Sequence, residues 1–205
     1  MKITWKGTLS GQVGFHAELQ EYDAVPPVES LLLDHAPVTM NPEREAIAAY
    51  LAFGHWSSGD LQLPHRLGPN TAAAIERDIR HVAVRPSPIE YYPKPLELGI
   101  REVHVGFDAS YVRDDLATIA VLPGSGWTGA LRTLHSFAIA SNAFALDMAA
   151  SQDFSAIRAR LAVAVLFAAD LSADNLVLAA SDLPETERSR IRELLLAVRL
   201  GVDFT

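Results

Sequence analysis

The chain has no cysteine, which excludes disulfides, thiolate nucleophiles and thiolate metal sites. Lysine is nearly missing as well: 3 Lys stand beside 14 Arg, no basic run occurs, and the net charge is -8. Nucleic-acid binding draws much of its affinity from neutralising phosphates, so this balance argues against a nucleic-acid ligand. The longest strongly apolar run, "LAVAVLFAA", is closed by Arg160 and Asp170. It is less than half of the roughly 20 residues a membrane span needs. The opening "MKITWKGTLSG" lacks the apolar stretch of a secretory signal. A soluble, cytoplasmic protein with no membrane partner is the expectation.

Several motifs are missing too. The sequence has no GxxxxGK[ST] or GxGxxG loop, no HExxH, no EF-hand loop and no Gly-x-Ser-x-Gly elbow. The usual nucleotide and dinucleotide cradles and the common hydrolase and metalloprotease signatures are therefore excluded. No internal repeat or low-complexity tract appears, and no cofactor can be named.

What is present is an ordinary globular composition, 49% hydrophobic and 20% charged over 205 residues, enough for a single domain with its own core. Residues 1–22 alternate apolar and polar, the period of a half-buried hairpin. A three-residue loop, Leu9-Ser10-Gly11, with Gly11 left-handed, pairs Trp5 with Phe15 and Ile3 with Ala17, whereas a two-residue loop would set apolar against polar side chains. Then "SLLLDH" reads as a strand and "NPEREAIAAYLAFG" as a helix capped by Asn41 with Pro42 in its first turn, Ile47 and Leu51 marking the inner face. "DLQLP" reads as a strand, "GPNTAAAIERDI" as a helix and "HVAVRP" as a strand. Strand and helix alternating in this way predict a Rossmann-like βαβαβ segment over residues 30–86 of a parallel sheet.

"SPIEYYPKPLELG" is extended and proline-rich, and "REVHVGFD" alternates like a strand. "LATIAVL" and "TGALRTLHSFAIA" flank "PGSG" and suggest an antiparallel hairpin, although residues 130–150 are also compatible with helix. Near the end come a helix through "SAIRARLAVAVLFAADL", capped by Ser151 or Asp153, and a strand "NLVLAA". A last helix follows, with Asp182 and Glu185 as an approximate capping box and Ile191, Leu194, Leu195 and Val198 inward. The fold class is α/β, a mixed sheet flanked by helices.

Ligands of open α/β sheets collect outside the carboxyl ends of the parallel strands. On this reading those ends carry Asp34-His35, His65-Arg66, Arg85 and Ser181-Asp182. Asp34, His35 and His65 are the proton-transfer candidates. Arg66 and Arg85, with Asn70 and Thr71 at the start of the helix from Gly68-Pro69, are the candidates for holding a phosphate or carboxylate; the same residues also serve as caps and solvated surface. His55, Asp60 and His65 could ligate a metal, but their spacing matches no known signature, and no metal site is assigned. Ser57 and Ser58 read as turn residues. Glu102, His104 and Asp108 share the polar side of one strand, as any solvated face would. Tyr91 and Tyr92, beside Pro93 and Pro95, form a wall for a ligand, a partner or the core edge.

Two functions follow. The first is a non-catalytic binding or assembly component, meeting a protein partner or a second copy through the N-terminal hairpin or the Tyr91-Tyr92 segment. The alternative is an enzyme acting on a small anionic substrate at the strand ends, with His65 and Arg66 sharing a pocket with Asp34 or His35.

Overall fold

The computed structural model describes residues 1–78, 82–93, 95–96, 98–113, 115–124, 131–133, 135–147, 157–180 and 183–205. Strands β1 (Lys2–Gly7) and β2 (Val13–Glu18) form the N-terminal hairpin. Trp5 pairs with Phe15 and Ile3 with Ala17, and Gly11 has φ of 84°. This is the register that the three-residue loop predicts. The rings of Trp5 and Phe15 meet edge-on at 5.0 Å, the kind of cross-strand pair that fixes a sheet register.

After the hairpin come β3 (Ser30–Leu33), α1 (Pro42–Phe53), β4 (Gly59–Leu67), α2 (Pro69–Asp78) and β5 (Val84–Ile89). The Asn41 side chain accepts from the N–H groups of Glu43 and Arg44, capping α1 as expected. β4 and β5 pair in parallel, and the βαβαβ order is present. The hairpin is placed between its first two strands, giving the local order β3-β2-β1-β4-β5.

β5 starts and ends three residues later than "HVAVRP" suggests, running through Pro86 and Pro88. Proline is admitted because β5 is the edge strand, where the missing N–H breaks no ladder.

The second half supplies β6 (Arg101–Gly106), β7 (Thr118–Pro123), β8 (Leu131–Arg132), β9 (Ser136–Ser141), α3 (Ala143–Asp147), α4 (Arg158–Phe167), β10 (Ala173–Leu178), α5 (Glu185–Leu196) and β11 (Gly201–Phe204). Ten strands run β11-β10-β6-β7-β9-β3-β2-β1-β4-β5, with short β8 beside β9. The antiparallel hairpin expected around "PGSG" is not what forms: β7 and β9 are parallel neighbours, and the strands that run antiparallel to β9 are β8 and β3. Every residue of β9 is buried, the mark of a strand covered on both faces, where parallel pairing is at home. Of residues 130–150, the described ones contribute both strand and helix, in β8, β9 and α3. The caps nominated at Ser151 and Asp153, and Ser181-Asp182, lie outside the described residues. Ile191, Leu194, Leu195 and Val198 are buried as expected.

Laid flat, ten strands would hold β11 and β5 about 43 Å apart at about 4.8 Å per strand. Yet α2, packed on β5, touches α5, packed on β11. The sheet therefore curls, bringing its edges toward each other around α1 and α4. Buried charges tie this closure. The Asp78 carboxylate accepts from Tyr50, from Arg158 at 2.7 Å and from Arg190 at 2.9 Å, and Glu187 accepts from Arg158 at 2.6 Å. Burial works against the Asp78 charge, but the Arg158 hydrogen bonds and charge outweigh it and hold the carboxyl below the usual range. Inside the curl, α1 is buried on all sides from Glu43 to Phe53. Among the described residues no helix is long and apolar enough to cross a membrane.

Candidate functional site

A cavity of about 1120 Å³ opens at the start of α1. One wall comes from the carboxyl ends of β4 and β5, with His65, Arg66 and Glu90. The facing wall comes from the amino ends of β6 and β10, with Gly99, Ser172 and Ala173. The curl of the sheet lets the two halves face each other. A Cβ on Gly99 would lie 2.1 Å from the Ala173 backbone, so glycine there allows β6 and β10 to start in contact. The Asp170 carboxylate accepts from the N–H groups of Val38 and Thr39 at 2.8 and 2.7 Å. That fixes the chain between β3 and α1 against the turn before β10.

The first turn of α1 carries three buried charges, of which Glu43 and Arg44 line the cavity and Glu45 meets a third lining residue, His65. Glu43 accepts the Gly68 N–H at 2.8 and 3.0 Å. A carboxylate from the same chain thus already caps α2, where the sequence suggested a place for an external anion. Glu45, 1% exposed, binds Nδ1 of His65 at 2.5 Å, while its other oxygen is enclosed without a partner. Burial pushes the Glu45 carboxyl above its usual value, and the His65 hydrogen bond and charge act against that rise. His65 itself is 58% exposed. It lies on the same side of β4 as Leu61, Leu63 and Leu67, all buried. An imidazole thus interrupts an apolar stripe. A carboxylate beside Nδ1 favours the tautomer that donates from Nδ1 and leaves Nε2 as the acceptor.

Arg44 is 5% exposed and lines the cavity. Its Nε has no hydrogen-bond partner, and one terminal nitrogen reaches the carbonyls of Ala173 and Arg199 only at 3.4 Å. Burial lowers its affinity for the proton, and the charge of nearby Asp174 partly restores it. A cation enclosed with so few acceptors is poised for an anion. Arg66, largely exposed, approaches Glu90 at only 3.9 Å. Ser172 adopts φ of 53°, a left-handed conformation that costs a non-glycine residue roughly 1–2 kcal/mol.

The other nominated residues lie elsewhere. Asp34 and His35 are turned inward, Nδ1 of His35 standing 2.7 Å from Oδ1 of Asp34 and its ring against Phe167; neither is among the residues lining the cavity. Arg85 stands near the amino end of β5 and pairs with Asp60 at 3.1 Å, because β5 begins later than the sequence suggests. Asn70 is exposed on α2 and Thr71 is buried. Asp60 and His65 stand five positions apart on β4, about 16 Å of extended chain, so they do not meet at one ion. Among the described residues no group of three or more His, Cys, Asp or Glu is placed to hold a metal. Ser57 is buried and bonds the Phe53 carbonyl. His104 faces Glu102 at 3.4 Å, and Asp108 accepts from the Ser110 N–H.

Glu43, Arg44 and Glu45 escaped the sequence reading. Their signal is the stretch "AIAAYLAF" at 46–53, which has no charged residue on any face. Such a helix is enclosed all round, and its charged first turn is enclosed with it. Comparison with known proteins returns nothing: no family model, no curated protein and no solved structure matches this chain significantly.

A buried carboxylate with one unpartnered oxygen destabilises by roughly 1–3 kcal/mol, so Glu45→Met is expected to unfold at the same or higher denaturant concentration than the wild type. The raised Glu45 carboxyl contributes stability below about pH 4.5, which is lost as pH rises through its folded value, so the advantage of the Met variant grows toward neutral pH. Nitrogen chemical shifts should at the same time show His65 leaving the Nδ1–H form for a mixture. A marked loss of stability with an unchanged tautomer would mean that Glu45 does not position His65.

Proposed function

We propose that this protein is an enzyme that binds a small anionic substrate in the cavity at the start of α1, with His65 as its general acid–base. One observation carries the reading. A buried carboxylate, Glu45, holds Nδ1 of a half-exposed imidazole in the same cavity as an under-satisfied arginine, Arg44. A carboxylate behind an imidazole fixes its tautomer and stabilises the imidazolium that forms when Nε2 takes a proton. Arg44 and Arg66 supply charge for a phosphate or carboxylate, and His65 takes a proton from the substrate or an attacking water and returns it to the leaving group. Of the residues first nominated, His65 and Arg66 keep these roles, and Glu45 replaces Asp34 as the partner of the histidine.

A second reading is a binding or assembly role through the hairpin or the Tyr91-Tyr92 segment. It is favoured by the full exposure of Leu9 at the hairpin tip and by Tyr91 and Tyr92, exposed by 75% and 91%. Large exposed apolar side chains close together mark interaction surfaces.

The enzyme reading is tested by adding inorganic phosphate at low salt while following the His65 ring resonances. Saturable shifts are expected, with binding weakened about threefold to tenfold in Arg66→Gln, an exposed position where the fold is not at stake. No saturable change at His65, either with phosphate or with acetate in its place, would overturn the reading. The assembly reading expects concentration-dependent association in sedimentation velocity, reduced by Leu9→Ser combined with Tyr91→Ser. A monomer at every concentration would remove self-association as the role of these residues.

A further inference from the structure

We infer that the anion taken by the cavity is carried on an apolar group at least the size of an aromatic ring, so that the substrate class is an organic phosphate or carboxylate with a hydrophobic body. This rests on the cavity being an anion site and goes on to name what the rest of it holds. At about 1120 Å³, its size reaches that of pockets for drug-sized ligands, which run to roughly 1,000 Å³. A bare phosphate would leave most of it as water.

The lining is also divided. Arg44, His65 and Arg66 bring the charge, whereas Val38, Met40, Tyr92, Leu98 and Phe137 bring apolar surface to the same concavity. Val38, Tyr92 and Leu98 are exposed by 78%, 91% and 68%, although they come from two separate stretches of chain, one following β3 and one following β5. Single exposed apolar residues are ordinary. Three at one mouth, beside a buried cation, form a surface that a hydrophobic body would cover.

The mouth is stiffened for the purpose. Asp170 fixes the chain at Val38 and Thr39, the Tyr92 N–H bonds Glu90 at 3.2 Å, and Pro93 and Pro95 restrict the backbone beyond it. Little ordering is then needed when a ligand binds. Apolar and charged surfaces placed within one concavity, rather than across a flat face, fit a compact amphipathic molecule better than a protein partner.

Calorimetric titration of the full chain with inorganic phosphate, phenyl phosphate, acetate and benzoate tests this. Either phenyl phosphate should bind at least about tenfold more tightly than phosphate, or benzoate should exceed acetate by a similar factor; the pair that shows the gain identifies the head group. In Val38→Ser combined with Leu98→Ser, two exposed positions where serine leaves the fold intact, the ratio should fall severalfold. If the simple anions bind and the ring adds nothing, or if its gain survives the double substitution, the inference is overturned while the anion site stands. If neither phosphate nor acetate binds, the anion site itself falls, and this inference with it.

Discussion

Helix α1 is enclosed on every side, and its first turn carries three consecutive charges into that enclosure. Charges taken out of water need partners or they destabilise the fold, and the neighbouring elements are arranged around this demand. Glu43 is satisfied by the start of α2, Glu45 through one oxygen only by the histidine on the apolar side of β4, and Arg44 only in part. Of the two left short of partners, Arg44 lines the cavity. The candidate site is thus the residue of a packing problem: a helix surrounded by its own sheet, with one cation left facing a space.

That enclosure depends on the curl of the sheet. Asp78 of α2 and Arg190 of α5 join helices packed on opposite edges, while Arg158 of α4 and Tyr50 of α1 complete the connection from within. A buried network of this kind adds little net stability over apolar packing, but breaking it by removing one partner is costly. Its effect here is geometric. By drawing the edges together it sets the carboxyl ends of β4 and β5 opposite the amino ends of β6 and β10, and it makes one cavity from two halves of the chain.

Much of the architecture is legible in the residues alone, and the reasons are local. The hairpin register follows from period-two alternation and a glycine able to take positive φ, and the start of α1 follows from Asn41 and Pro42, because both signals act within a few residues. Less legible are the features set by distant partners. Arg85 is read as a strand end because prolines usually terminate strands, but an edge strand accepts them. The parallel pairing of β7 with β9 depends on burial of both faces, which no turn signal reports. His65 and Arg66 are found by the rule that strand ends gather ligands. Glu45 comes from a helix 20 residues earlier in the chain, and only the absence of charge on any face of 46–53 hints that its surroundings are buried.

On the proposed function, Arg44 is held in the interior for a ligand and not for the fold. The most direct measurement is denaturant unfolding of Arg44→Met beside the wild type, with and without inorganic phosphate. Without phosphate the variant should be at least as stable, since an apolar side chain replaces a cation with an unpartnered nitrogen. The stabilisation that phosphate gives the wild type by binding its native state should vanish in the variant. A loss of about 3–5 kcal/mol, the sign of a broken structural ion pair, with phosphate protection retained would contradict it.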